Sequence, residues 1–464
     1  MLSRVKVFNF FNKHKVNITI LAVVLLIANI NKNIGLYNHE TCIIENDVVS
    51  YYAYLPAFFI YNDIGLTFKD STDFSCKHLI WATKTSTGKY VIKTSMGVAI
   101  AYMPFFLVTH YVLKYTNNEA CGYSPPYKIA LVVSSVFFLF LGLIFVKRTL
   151  RLFFDSDWII LSIIPILSFG TNLYFYTVYE PAYSHVYSFA LISVFIYYSV
   201  RWVRDIYNVK YAIILGIFIG WISLTRPTNI VIALFPITLF FLQHSIKEIF
   251  NIRFIKIVSL IAILAIVIWI PQLLYWKYVT GNYFYYSYGS NERFFFDNPR
   301  IIKGLLGFRK GFFIYTPIMI VAFIGFYFLF KKNKNLFLAA SITTLIYIYI
   351  TFSWWCWWYG GSLGMRPFID FYSLWSLTLA SFMYYMVRFR YKFFRVISIL
   401  LVIFFSYMNI EYTLQYKKGR VHYDSMTWEA YKCVFFTKRS GCDVYSLLCC
   451  PNYELAQKGI DRCD

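Results

Sequence analysis

The stretch "SMGVAIAYMPFFLVTHYVL" (Ser95–Leu113) decides how the rest of the chain is threaded. It is apolar and close to the ~20 residues that a helix needs to cross a bilayer. Counted as a crossing, it sends the basic cluster "KRTLR" (147–151) to the outer face. Laid flat in the interface, it leaves every basic cluster on the cytoplasmic face, as orientation by short basic loops requires. Pro104, His110 and Lys114 also suit an interfacial helix better than one surrounded by hydrocarbon.

The composition calls for a membrane. Of 464 residues, 59% are hydrophobic, 22% aromatic and only 14% charged, against roughly 25% charged in a soluble domain. A soluble fold of this make-up would expose large sticky patches. Eleven further runs are expected to cross, near 16–31, 127–146, 158–177, 183–200, 211–225, 228–243, 254–275, 312–330, 336–353, 368–387 and 394–410. The expected fold class is therefore an all-α polytopic membrane protein, with about eleven transmembrane helices and interfacial helices in the first outer loop. "MLSRVKVFNFFNKHK" followed by "VNITILAVVLLIANI" has the order of a signal peptide, but Asn29, Asn31 and Lys32 stand where small residues would mark cleavage. It reads as an uncleaved first helix with a cytoplasmic amino end.

With that threading, the inner pieces carry 20 of the 44 Lys and Arg, but of the 22 acids only Asp155, Asp157, Asp205 and Glu248. The net charge of +22 thus follows the membrane rather than gathering on a nucleic-acid face, and no nucleic-acid partner is expected. The nine cysteines all fall outside, five of them after residue 410, where disulfides persist. Their pairing is not readable, and an odd count leaves one over. Two regions result: a transmembrane module over 1–410, with outer loops 32–126 and 276–311, and a Cys-rich extracytoplasmic tail over 411–464. No nucleotide-binding glycine loop is present, which argues against an ATP-driven pump. The inner loops are too short to fold a domain, so chemistry belongs on the outer face.

Ionisable groups at membrane depth are costly and mark function by default. In "ENDVVSYYAYLPAFF" (45–59), Asp47 is placed to take a proton as a general base. The alternative is that Asn46 or Asp47 merely caps a helix. In "YEPAYSHVYSF" (179–189), Glu180 and His185 flank a tight outer turn, either as acid–base groups or as a polar turn broken by Pro181. Arg226 in "LTRPTN" (224–229) sits at an outer helix end, fit to grip a phosphate or to snorkel to headgroups. "WWCWWYGGSLGMRPFID" (354–370) combines an aromatic belt, three glycines for a tight backbone, and Arg366 at a helix mouth. Its "GGSLG" matches a hydrolase elbow in letters only, because no strand precedes Ser362. Lys93 heads the 95–113 segment, and Arg293, Arg300, Arg309 and Lys310 make the next outer loop a basic rim or a lipid contact.

In this order the pieces resemble the membrane-embedded GT-C glycosyltransferases, especially the protein O-mannosyltransferase and aminoarabinose transferase group. "DVVSYY" (47–52) looks like that group's acidic-aromatic opening, "IKTSMGVAIAYMPFF" (92–106) like its Lys-headed interfacial helix, and "LTRPT" like its basic turn. "YEPAYSHVYSF" takes the place of its second acidic motif, and "GMRPFIDFYSL" is similar to its late Gly-x-Arg helix start. The resemblance implies transfer of a sugar from a polyprenyl-phosphate donor to a lipid, glycan or protein acceptor on the outer face. Asp47 would be the base, Glu180 a second acid with His185 nearby, and Lys93, Arg226 and Arg366 would hold the donor phosphate. Val48 replaces the group's second acid, so a divalent cation is left open and no other cofactor is implied. The competing expectations are a transporter or flippase of a lipid-linked glycan, which should show repeats around a midplane site, and a scaffold whose Cys-rich tail binds a partner.

Overall fold

The computed structural model describes residues 2–39, 42–71, 80–437 and 442–462, with side chains from residue 14 onward. Cys76 and Cys463 lie outside these residues. In chain order the helices are α1 (Leu2–Ile34), α2 (Asp47–Tyr52), α3 (Tyr54–Phe59), α4 (Gly97–Tyr115), α5 (Pro125–Arg151), α6 (Asp157–Phe169), α7 (Leu173–Val178) and α8 (Ser184–Arg204). They continue with α9 (Val209–Thr225), α10 (Leu234–Gln243), α11 (Ile252–Thr280), α12 (Ile301–Leu306), α13 (Phe312–Tyr315), α14 (Ile318–Lys332) and α15 (Lys334–Ser353). The chain closes with α16 (Tyr372–Met386), α17 (Lys392–Lys417), α18 (Trp428–Phe436) and α19 (Tyr453–Ala456).

Every expected crossing is helical, and seven of the described helices, α4 among them, are long and apolar enough to span a membrane. The others are broken or shorter, for local reasons. The 158–177 run parts between α6 and α7, where Asn172 is buried and accepts from the Tyr372 hydroxyl. Proline lacks an N–H for the helix ladder, so Pro317 delays α14, while Pro227 and Pro367 each open a short 3-10 turn ahead of α10 and α16. Such irregular backbone survives at membrane depth only where protein covers it. The bundle centres on α8, with 83% of its apolar window buried, whereas α11 and α17 bury 11% and 17% and turn most of their surface outward. α8 packs against α5 and α9, α9 against α11, and α14 against α15 and α16.

α4 is held along its length by three contacts. Gly97, at its start, lies against Leu224 and Thr225; a Cβ there would stand 2.3 Å from the Thr225 nitrogen. The Tyr102 hydroxyl donates to the Ala182 carbonyl in the α7–α8 turn. Near its end, His110 Nδ1 is 2.6 Å from the Tyr127 hydroxyl at the start of α5. All three neighbours belong to one face of the bundle. α4 packs against that face, and it is also long and apolar enough to span a membrane.

The same face carries the loops and the tail. An antiparallel hairpin, β1 (Ala82–Lys84) with β2 (Tyr90–Ile92), is an element the sequence pattern does not announce; it pairs Ala82 with Ile92, Thr83 with Val91 and Lys84 with Tyr90. Thr85 and Thr87 hydroxyls pin it to the Val279 carbonyl at the end of α11, at 2.6 and 2.7 Å. Several helices overrun their expected boundaries, among them α11, which ends at Thr280, and α17, which ends at Lys417. The tail then folds back. Lys303 pairs with Asp461 at 3.3 Å, and the Ser362 amide donates to the Tyr423 carbonyl. A Cys433–Cys442 disulfide staples the end of α18, and Cys449 is also disulfide-bonded.

Candidate active site

Asp47 is the first residue of α2. The cap position before it belongs to Asn46, whose φ is 49° and whose side chain caps nothing. Ile43, at φ 75°, precedes it in the same loop. A β-branched residue there is strained, and such strain persists only where surrounding structure enforces it. No side-chain cap bond is made at Asn46, although it holds the cap position. The Asp47 carboxylate leaves its own helix and meets Arg366, with Oδ2 2.9 Å from Nη2. Arg366 comes from the tight segment Tyr359–Gly364, where Tyr359, Gly360 and Gly364 hold φ of 58°, 68° and 60°. At Gly364 a side chain would both strain the backbone and press on Tyr315. One turn into α2, the Tyr51 hydroxyl is 3.3 Å from Ser184 Oγ at the start of α8.

The second knot is built on buried His185 and Asp370, with Arg226 17% exposed. His185, second in α8, places Nδ1 2.9 Å from Asp370 Oδ1. Arg226, which ends α9, has Nε 3.3 Å from Asp370 Oδ2 and Nη1 3.5 Å from His185 Nε2. Asn229 Nδ2 donates to the same Oδ2 at 2.7 Å. Tyr51 and Tyr288 each feel the charges of both Asp47 and Arg226, so the two knots share one neighbourhood. Lys93 follows β2 and is engaged by Glu292 at 2.7 Å, with Nζ 5.1 Å from the Tyr288 ring centre.

No family model and no curated protein matches the chain. Among solved structures, it is similar to the archaeal oligosaccharyltransferase AglB from Archaeoglobus fulgidus, solved with an inhibitory peptide and a dolichol-phosphate. The TM-score is 0.53 at 12% identity, over 94% of this chain and 59% of that one. The chain has a GT-C fold. It is an integral membrane protein, and the match spans about 59% of that enzyme's chain.

Within this GT-C fold all six expected site residues lie on one face, and each of the three expected phosphate ligands already has a carboxylate partner: Arg366 with Asp47, Arg226 with Asp370, Lys93 with Glu292. Glu180 stands in the α7–α8 turn with Oε2 enclosed and unpartnered. Burial pushes its carboxyl up to about 8, against the pull of Arg366. Near neutral pH it is thus a proton donor, not a second base. Burial likewise brings Lys310 down to about 7. Lys310 donates to the Ser362 carbonyl and lies 3.0 Å from its hydroxyl, so Ser362 serves as a buried hydrogen-bond partner.

The four basic residues of the outer loop part company. Arg309 and Lys310 are buried, Arg300 donates to the Gly459 carbonyl, and Arg293 stacks over Phe295. Among the described residues, no group of three or more His, Cys, Asp or Glu side chains gathers as a metal ion would need. Sequence reading missed Asp370, Asn229 and Glu292 as site residues. Asp370 had a usable signal: an acid inside an apolar run, one helical turn past Arg366.

Proposed function

We propose that the chain is a membrane glycosyltransferase that moves a sugar from a polyprenyl-phosphate donor to an acceptor on the extracytoplasmic face. The observation that carries this reading is the meeting of Asp47 with Arg366 beside Arg226. A base and a phosphate clamp must flank one reacting carbon, and these side chains come from three distant parts of the chain to do so. The GT-C fold supports it, as does the dolichol-phosphate named with the AglB structure.

In the reaction, an acceptor hydroxyl attacks the anomeric carbon and Asp47 takes its proton. The carbon–oxygen bond to phosphate breaks, and the polyprenyl phosphate leaves with the electron pair. Attack opposite the leaving group inverts the anomeric centre. Arg226 and Lys93 stabilise the departing phosphate, as fixed cations do for a developing anion. Arg366 orients Asp47 and bridges to the clamp. Glu180, protonated, donates a hydrogen bond to a sugar or acceptor oxygen. His185 supports Arg226. The motif order favours the O-mannosyltransferase and aminoarabinose transferase group, and so a single hexose or pentose as cargo, with a lipid, glycan or protein as acceptor.

The test is transfer by the purified chain in nanodiscs, offered polyprenyl-phosphate hexose and pentose donors with membrane extract as acceptor. Label leaving the donor in wild type and not in Asp47→Asn supports the reading; equal transfer by both removes Asp47 from the chemistry.

A further inference from the structure

The buried knot around Asp370 carries more than an ion pair. The Asp370 carboxylate faces His185 Nδ1 at 2.9 Å on one oxygen and accepts from Asn229 Nδ2 at 2.7 Å on the other, which also lies 3.3 Å from Arg226 Nε as an ion pair. A carboxylate only accepts and a guanidinium only donates. His185 lies between the two, with Nδ1 toward Asp370 and Nε2 3.5 Å from Arg226 Nη1. One state of the ring satisfies both contacts: Nδ1 protonated, Nε2 bare.

From this we infer that Asp370 is the positioning residue of the site, fixing the His185 tautomer and, with His185, the direction in which Arg226 presents its charge. Arg226 pairs by charge with Asp370, its Nε 3.3 Å from Oδ2 without a formed hydrogen bond, and its Nη1 lies 3.5 Å from His185 Nε2. Its ring-stacking face lies 6.0 Å from the centre of Tyr359. With Asp370 and His185 on the Nε and Nη1 sides, an anion would be met on the Nη2 side, which would set where the bond to phosphate breaks. Asn229 steadies the carboxylate from the 3-10 turn that follows Arg226, so clamp and holder move together. Groups that orient a binding side chain in this way are worth about ten- to a hundredfold in activity. The role of Arg226 as a phosphate ligand rests on the proposed function; the tautomer does not.

Two readouts on the full chain in nanodiscs separate these layers. First, histidine is labelled with 15N and the His185 ring is assigned by its loss in His185→Gln. The expected wild-type ring is protonated at Nδ1 alone near neutral pH. Asp370→Asn brings in the Nε2-protonated form, and Asp370→Glu keeps the wild-type pattern. A wild-type ring protonated at Nε2, or unchanged in Asp370→Asn, overturns the inference. Second, binding of polyprenyl phosphate and sugar transfer are compared in the same proteins. Asp370→Asn should bind polyprenyl phosphate at least as well as wild type, because the anion competing for Arg226 is gone. Its transfer should fall by about tenfold or more, with Asp370→Glu recovering most of it. Parallel loss of binding and transfer would mark Asp370 as merely structural and overturn its positioning role, as would undiminished transfer. A wild type that binds no polyprenyl phosphate would instead sink the proposed function, and the 15N result would still decide what Asp370 does.

Discussion

Asp47 and Glu180 are both carboxylic acids on one face, and their surroundings give them different work. Asp47 is more than a third exposed and tied to Arg366 at 2.9 Å. Glu180 has an enclosed oxygen and a carboxyl moved by burial from 4.5 to about 8. The folded chain therefore keeps a proton that the unfolded chain releases. That stability is fully present below pH 4.5 and is lost as pH rises through about 8. Melting in detergent at about pH 5 and about pH 7 should show wild type losing a few degrees and Glu180→Gln losing less. Staying below about 7 keeps Lys310, whose effect has the opposite sign, out of the comparison. A curve for Glu180→Gln parallel to wild type would remove burial of a neutral Glu180. The residue types were legible: acids, His and Arg in apolar surroundings each signal function. Their pairing was not. His185 and Asp370 are 185 positions apart, Asn229 and Asp370 141, and no local pattern links them.

The element that places the clamp is α4. It packs against the site face, and its first residue presses on the backbone that leads into Arg226. Gly97→Ala would set a Cβ 2.3 Å from the Thr225 nitrogen, and backbone cannot yield as a flexible side chain does. The expected cost is about 1–3 kcal/mol of stability. Activity should fall with it, since Arg226 moves when Thr225 moves. A melting temperature within error of wild type would contradict this packing. Charge placement argues for a flat course of α4, because a crossing there would put "KRTLR" on the wrong side. The hairpin β1–β2 was not, since its register is set by the end of α11 through Thr85 and Thr87 and by no strong strand pattern of its own. Nor was Glu292 on Lys93, which needs the loop after α11 to fold back across the hairpin.

For the whole molecule, the membrane class followed from composition, and the eleven runs from hydropathy and basic loops. Helix breaks at Asn172 and near Pro317 and Pro367 were hidden, because tertiary contacts supply the partners that the broken ladder lacks. The proposal that the site face is outside rests on the basic-loop bias. A membrane-impermeant thiol reagent applied to intact cells should label Ser290→Cys, in the exposed loop of that face, and spare Lys247→Cys on the opposite one. The reverse pattern would invert the orientation. The central claim is that Asp47 removes the proton in a sugar transfer whose leaving group is a lipid phosphate. Its most direct test is release of labelled sugar from a purified polyprenyl-phosphate donor by the nanodisc-embedded chain, wild type against Asp47→Asn. The account predicts release by wild type and a loss of about a hundredfold or more in the variant; release at the wild-type rate by Asp47→Asn would contradict it.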